Sequence, residues 1–112
     1  MTLFERIIAR EIPADIVFEN DHVLAFRDIH PVAPTHVLVI PKKPLAMLSD
    51  ATADDAALLG QVMLGVNAVA DALGLVDGGF RVVINNGANA GQTVFHLHAH
   101  VIAGRPMSWP PG

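Results

Sequence analysis

The sequence predicts an α+β fold, a five-stranded antiparallel sheet carrying one long and one short helix. Three observations point there. Five short runs are rich in β-branched and aromatic residues, and several are joined by tight polar or glycine turns. One stretch, from Thr52 to Leu73, repeats apolar residues at three-and-four spacing. No internal repeat, low-complexity tract or interdomain linker interrupts the chain, so residues 1–112 are expected to form one domain.

In chain order, Thr2-Leu3-Phe4-Glu5 has the form of a capping box, in which the Thr oxygen takes an amide and Glu5 reaches back. A short helix is predicted from there toward Arg10, with Leu3, Phe4, Ile7 and Ile8 on its apolar side and Pro13 as its stop. Ile16–Glu19 and Val23–Phe26 are predicted strands around the polar turn Asn20-Asp21. Asp28 to Pro34, with two prolines, is a loop. His36–Ile40 is a third strand ended by Pro41. The long helix opens at Thr52, with Asp54 and Asp55 at its positive end, and stops at Gly74. Phe80–Ile84 is the fourth strand, Asn85–Gln92 a loop of Asn and Gly, and His96–Ile102 the fifth strand. The proline-rich end, Arg105 to Gly112, is predicted irregular.

Composition narrows the function. Hydrophobic residues make up 52% of the chain and charged ones 16%, enough to build a core and too little polarity for disorder. The formal charge is −4, with seven Lys and Arg, which argues against a nucleic-acid polymer as partner. A single nucleotide needs only a few amides and imidazoles around its phosphate. The absence of cysteine removes disulfides, thiolate metal sites and a Cys nucleophile, and it suits a cytoplasmic setting. No run approaches the ~20 apolar residues of a membrane span, and Met1–Arg6 does not read as a signal peptide. A soluble protein is expected.

Four of the six histidines fall in two predicted strands: His36 in the third, and His96, His98 and His100 in the fifth. Alternation along a strand would set the last three on one face at roughly 7 Å intervals, with Leu97, Ala99 and Val101 turned to the core. A purely structural strand has no reason to carry such a stripe. The loop before it is poor in large side chains, and Gly91 and its neighbours could bring amides onto an anion, with Thr93 adding a hydroxyl. Turn chemistry alone also explains such a loop. Its position ahead of three imidazoles suggests a phosphate cradle.

The segment Gly91-Gln92-Thr93-Val94-Phe95-His96-Leu97-His98-Ala99-His100-Val101-Ile102 resembles the signature of the histidine triad (HIT) family. Ile12-Pro13-Ala14, Ala33-Pro34-Thr35-His36 running on to Pro41-Lys42-Lys43, and the ending Trp109-Pro110-Pro111-Gly112 resemble its Hint branch, the histidine triad nucleotide-binding proteins. That resemblance implies a purine nucleoside phosphoramidate hydrolase. It also implies a homodimer, in which the long helix and a neighbouring strand pair two sheets into one of ten strands. No metal or other cofactor is implied.

By the motif match His98 is the nucleophile, which a neutral imidazole can be without prior activation. His100 donates to the phosphate, His36 exchanges and positions protons, and His96 supports the arrangement; for His96 a satisfied core imidazole is the competing reading. Thr93 stands where Ser is usual, keeping the hydroxyl with stiffer rotamers. Gly91, Gln92 and Val94 are assigned to the phosphate, Asp28 to the ribose, and Asn85 to phosphate or ribose. Leu3, Phe4, Ile7, Phe26, Ile29 and Leu38 are assigned to the purine slot, although apart from the resemblance they read as ordinary core. Trp109 is expected to reach the partner's site.

Three other readings stay open on sequence. Alternating histidines could ligate Zn²⁺. The enzyme could be a dinucleoside polyphosphate hydrolase, as in the Fhit branch. The chain could also be a nucleotide-binding signalling protein with little turnover.

Overall fold

A computed structural model describes all of residues 1–112. The capping box at Thr2 forms, with Thr2 Oγ1 accepting from the Glu5 amide at 3.2 Å and Glu5 Oε1 accepting from the Thr2 amide at 3.1 Å. Helix α1 runs Leu3–Ile8 and buries Phe4 and Ile7. It ends well before Pro13, where the chain turns through Arg10 at φ 62°, so a left-handed residue stops it rather than the proline.

Strands β1 (Ile16–Glu19), β2 (Val23–Arg27), β3 (Thr35–Pro41), β4 (Phe80–Val83) and β5 (Ala99–Ala103) form one antiparallel sheet in the order β1-β2-β3-β5-β4. Helix α2 covers Ala56–Ala72. The turn at Thr52, expected as its start, is a separate 3₁₀ turn over Ala53–Asp55. Two apolar layers flank the sheet. On one face, Val23, Ala25, Val37, Val39, Ala99 and Val101 pack with Val62, Val66, Val69 and Ala70 of α2. Gly65 lets the helix approach closely, since a Cβ there would lie 3.0 Å from Val39 Cγ1. On the other face, Leu24, Phe26, Leu38 and Ile40 pack with Phe4 and Ile7 of α1. No helix is long and apolar enough to cross a membrane.

The structure corrects the fifth strand. It begins at Ala99 rather than His96, so His96 and His98 precede the ladder and only His100 lies within it. The cause is in β3. Val39 faces Ala99, and two residues further the register would set Leu97 against Pro41, which has no amide to donate. The chain leaves the ladder there, and the Leu97 amide donates to the Leu45 carbonyl at 2.7 Å instead.

Candidate active site

The face carrying α1 also carries the histidines. His100 sits opposite Leu38 in the β3–β5 ladder, and His36 belongs to the same layer as Leu38, two residues before it in β3. His98 and His100 have ring centroids 5.0 Å apart, and His36 and His100 5.2 Å apart. Phe4 meets His98 edge-on at 5.0 Å and His96 at 6.2 Å. The expected stripe is therefore a cluster of His36, His98 and His100, with His96 behind it.

Hydrogen bonds assign the ring protons. His98 Nδ1 lies 2.7 Å from the His96 carbonyl, an acceptor only, so Nδ1 carries the proton and Nε2 keeps a free lone pair. His96 Nε2 lies 2.7 Å from the Pro41 carbonyl and donates to it by the same reasoning. His96 is almost wholly buried. It is a satisfied core imidazole that secures the turn carrying His98. In His36, Nδ1 accepts from the Val32 amide at 3.1 Å, so its proton is on Nε2 and is donated to His100 Nδ1 at 2.9 Å. His100 must then hold its own proton on Nε2, and that buried atom has no partner within the chain. A ring with a free lone pair, His98, thus neighbours a ring with an unengaged N–H, His100, their centroids 5.0 Å apart.

Burial favours the neutral form of both rings. It lowers the pKa of His98 against the opposing effect of the His96 carbonyl, and it pushes His100 down to about 4, helped by repulsion from His98 and His36. A histidine with a folded pKa below its unfolded 6.5 contributes stability that is complete above 6.5 and lost as pH falls toward 4. Between those limits the melting temperature of the wild type is expected to fall more steeply with acid than that of His100→Gln. Parallel melting curves for the two proteins would refute this.

A cavity of about 380 Å³ opens beside the cluster. All six apolar residues assigned to the base line it: Leu3, Phe4, Ile7, Phe26, Ile29 and Leu38. Phe4, Ile7, Phe26 and Leu38 are buried, whereas Leu3 and Ile29 are exposed at its mouth. Asp28, Thr93 and Val94 line it as well, together with Ile12, Pro13, Ala14, Arg27 and His30, which sequence reasoning had not placed there. The apolar Ile12 and Ala14 around Pro13 were the available signal. Asp28 Oδ2 is 3.5 Å from His36 Nε2, and its other oxygen accepts from the His30 amide at 2.8 Å.

Asn85 and Gly91 lie together in the loop, where a Cβ on Gly91 would stand 3.7 Å from Asn85 Nδ2, and Gly91 adopts φ 97°. Gln92 needs correction as a phosphate contact. Its side chain is buried within the loop, with Oε1 accepting from the Gly87 amide at 2.8 Å and Nε2 donating to the Ala46 and Val94 carbonyls at 2.8 and 3.1 Å. Its own amide donates to the Gly87 carbonyl. Gln92 therefore shapes the loop rather than holding an anion. Gln92→Ala is expected to lower stability by about 1–3 kcal/mol through unsatisfied buried groups. A melting curve reads this, and an unchanged midpoint would contradict the role.

Trp109 stays outside the cavity of its own chain; it is 83% exposed and lies with Pro111 and Gly112 along Arg81–Ile84. Arg81 tethers that segment by donating to the Ser108 carbonyl at 2.8 Å.

The metal reading also changes. His96 and His98 each use a ring nitrogen on a carbonyl, and the ligand atoms that do cluster, all within 4.8 Å, belong to Asp28, His36 and His100. The atom of His36 that faces a shared cation position is Nε2, where its proton resides. A metal-bound imidazole normally donates through its other nitrogen, whereas His36 Nδ1 accepts there from Val32. The hydrogen bonding of His36 does not suit cation binding through Nε2.

Comparison with known proteins bears on the family and the fold. An uncharacterized HIT-like protein of Synechocystis sp. is 62% identical over 111 residues, which is 99% of this chain and 96% of the relative. A HIT family hydrolase from Legionella pneumophila superposes with a TM-score of 0.97 at 47% identity, covering 100% of both chains. A histidine triad nucleotide-binding protein from Candida albicans has a TM-score of 0.83 at 32% identity, covering 98% of this chain and 83% of its own. The HIT domain family profile matches residues 9–107, and with the histidine cluster in place the chain belongs to the HIT domain family.

Proposed function

We propose that this protein is a purine nucleotide-binding hydrolase of the Hint branch. It cleaves a P–N or acyl-phosphate bond at the α-phosphate of a nucleoside 5′-monophosphate derivative. The observation that carries the reading is the fixed tautomer of His98, which leaves Nε2 bare on a ring 5.0 Å from that of His100, whose Nε2–H is unengaged. The family relationship supports it, as does the similarity to the Legionella hydrolase and the Candida nucleotide-binding protein.

In this reading the apolar cavity takes the base, Asp28 accepts from the ribose hydroxyls, and Asn85, Gly91, Thr93 and Val94 face the phosphate. His98 Nε2 forms a bond to phosphorus as the substrate P–N bond breaks, and the amine leaves with a proton taken from solvent. Water then attacks phosphorus and gives a proton back to solvent, the P–Nε2 bond breaks, the monophosphate departs, and the His98 lone pair is restored. His100 stabilises the charged oxygens in both steps, the dominant need of phosphoryl transfer. A homodimer fits the same reading. The outer edge of β4 is unpaired, and exposed Val82, Met63 and Leu64 lie on β4 and α2.

Intact-mass analysis of the protein quenched during turnover of an adenosine phosphoramidate tests the proposal. A nucleotidyl adduct mapping to His98 is expected. Steady hydrolysis with no adduct, or an adduct elsewhere, would refute the mechanism. Faster turnover of diadenosine polyphosphate would move the assignment to the Fhit-like reading.

A further inference from the structure

The tautomer of His100 is set at a distance. Its acceptor Nδ1 follows from the donor Nε2–H of His36, and that follows from the Val32 amide, the group that occupies His36 Nδ1. Val32 is an exposed loop residue whose side chain has no evident task. Its peptide group, however, is held on both sides: the amide donates to His36, and the carbonyl accepts from Arg105 Nη2 at 3.3 Å. Arg105 follows β5, far along the chain, and its other nitrogen Nη1 donates to the Pro106 carbonyl at 3.2 Å and approaches Met107 Sδ at 3.4 Å. The preceding Gly104, at φ 97°, lies so close under Pro34 that a Cβ would come within 2.8 Å of the Pro34 Cβ. The segment after β5 thus grips the loop twice, at Val32 and at Pro34.

We infer that the Val32 peptide, clamped by Arg105, is the positioning element that fixes the proton of His36 on Nε2 and thereby presents His100 as an N–H donor to substrate. Without the Val32 donor, the Nε2–H tautomer of His36 keeps only the support of the Asp28 carboxylate, 3.5 Å from Nε2, and the Nδ1–H form becomes accessible. With the proton on His36 Nδ1, the Nε2 lone pair faces the Nδ1 lone pair of His100. That repulsion is relieved only if His100 moves its own proton to Nδ1, which leaves a lone pair, instead of a donor, toward the phosphate oxygens. No proton is gained or lost overall; each ring shifts one proton between its nitrogens. Neither Arg105 nor Val32 lines the cavity, and both act through His36.

The inference rests on the proposed hydrolase for its kinetic consequence but not for its structural one. Two measurements separate them. Nitrogen-15 NMR of the histidine rings in the wild type should show His36 and His100 both protonated at Nε2. The Val32 amide is then replaced by an ester, by incorporating α-hydroxyisovaleric acid at position 32, which removes the donor and keeps the side chain. In that protein His36 should populate the Nδ1–H form. For turnover of an adenosine phosphoramidate, kcat should fall about tenfold with KM within about twofold, a loss on the scale of impaired proton donation. Arg105→Ala should give a smaller fall in kcat, and Arg105→Lys should restore most of it. A wild-type His36 protonated at Nδ1, or an ester protein with unchanged tautomers and kcat, would overturn the inference. Should no nucleotide derivative be hydrolysed even by the wild type, the functional proposal fails while the NMR result still decides the tautomer claim.

Discussion

His98→Ala is expected to lower hydrolysis of an adenosine phosphoramidate by at least roughly a hundredfold, with the loss in kcat, while AMP binding largely persists. The separation follows from where the ring sits. The cavity that would hold the base is lined by residues of α1, β2, β3 and the loops beside them, and His98 is not among them. Its ring meets that wall at Phe4, with centroids 5.0 Å apart. Removal of the imidazole therefore deletes the attacking lone pair and leaves the slot nearly intact. Steady-state kinetics together with calorimetric titration of AMP read both halves. Retained kcat would eliminate His98 as nucleophile, whereas lost AMP binding would mean that the ring holds ligand or structure instead.

Phe4→Ala is expected to destabilise the fold by about 3 kcal/mol, near the low end for truncating a buried aromatic residue. Phe4 is 4% exposed, and it stacks edge-on with Phe26 at 5.4 Å as well as with His98. It is also one of only two buried residues of α1, a helix of six residues too short to persist without packing. The void would open onto the neighbouring cavity, where water and side chains can relax into it, hence the lower figure. Chemical denaturation gives the energy. A loss below about 1 kcal/mol would show that α1 docks without this anchor. In the same variant KM for a purine substrate should rise, because the slot loses a wall.

The fold was legible where local chemistry and periodicity agree. Thr2 and Glu5 announce their capping box, and Ile16–Glu19 is bounded by turn residues. Of the apolar spacing Leu59, Val62, Met63, Val66, Ala70 and Leu73, the residues Val62, Val66 and Ala70 lie in the buried stripe of α2, whereas Met63 is exposed. The triad was legible as a pattern, and the apolar residues assigned to the base do line one cavity. The start of β5 was not legible from its own residues. His96-Leu97-His98 alternates as well as any strand, and the obstacle to pairing is Pro41, more than fifty residues earlier and across the ladder.

The sequence by itself thus determined the strands and helices, the chemical kinds of group at the site and the family they resemble, since these depend on side-chain type and near neighbours. Only the tertiary structure decided how these groups are engaged: that His96 is tied to Pro41, that Gln92 is consumed within its loop, and that the Val32 amide meets His36, which in turn meets His100. The physical reason is that a hydrogen bond to a backbone carbonyl or amide depends on position alone. Every residue but proline offers the same donor and acceptor, so nothing in the order of side chains marks which peptide group will meet which ring.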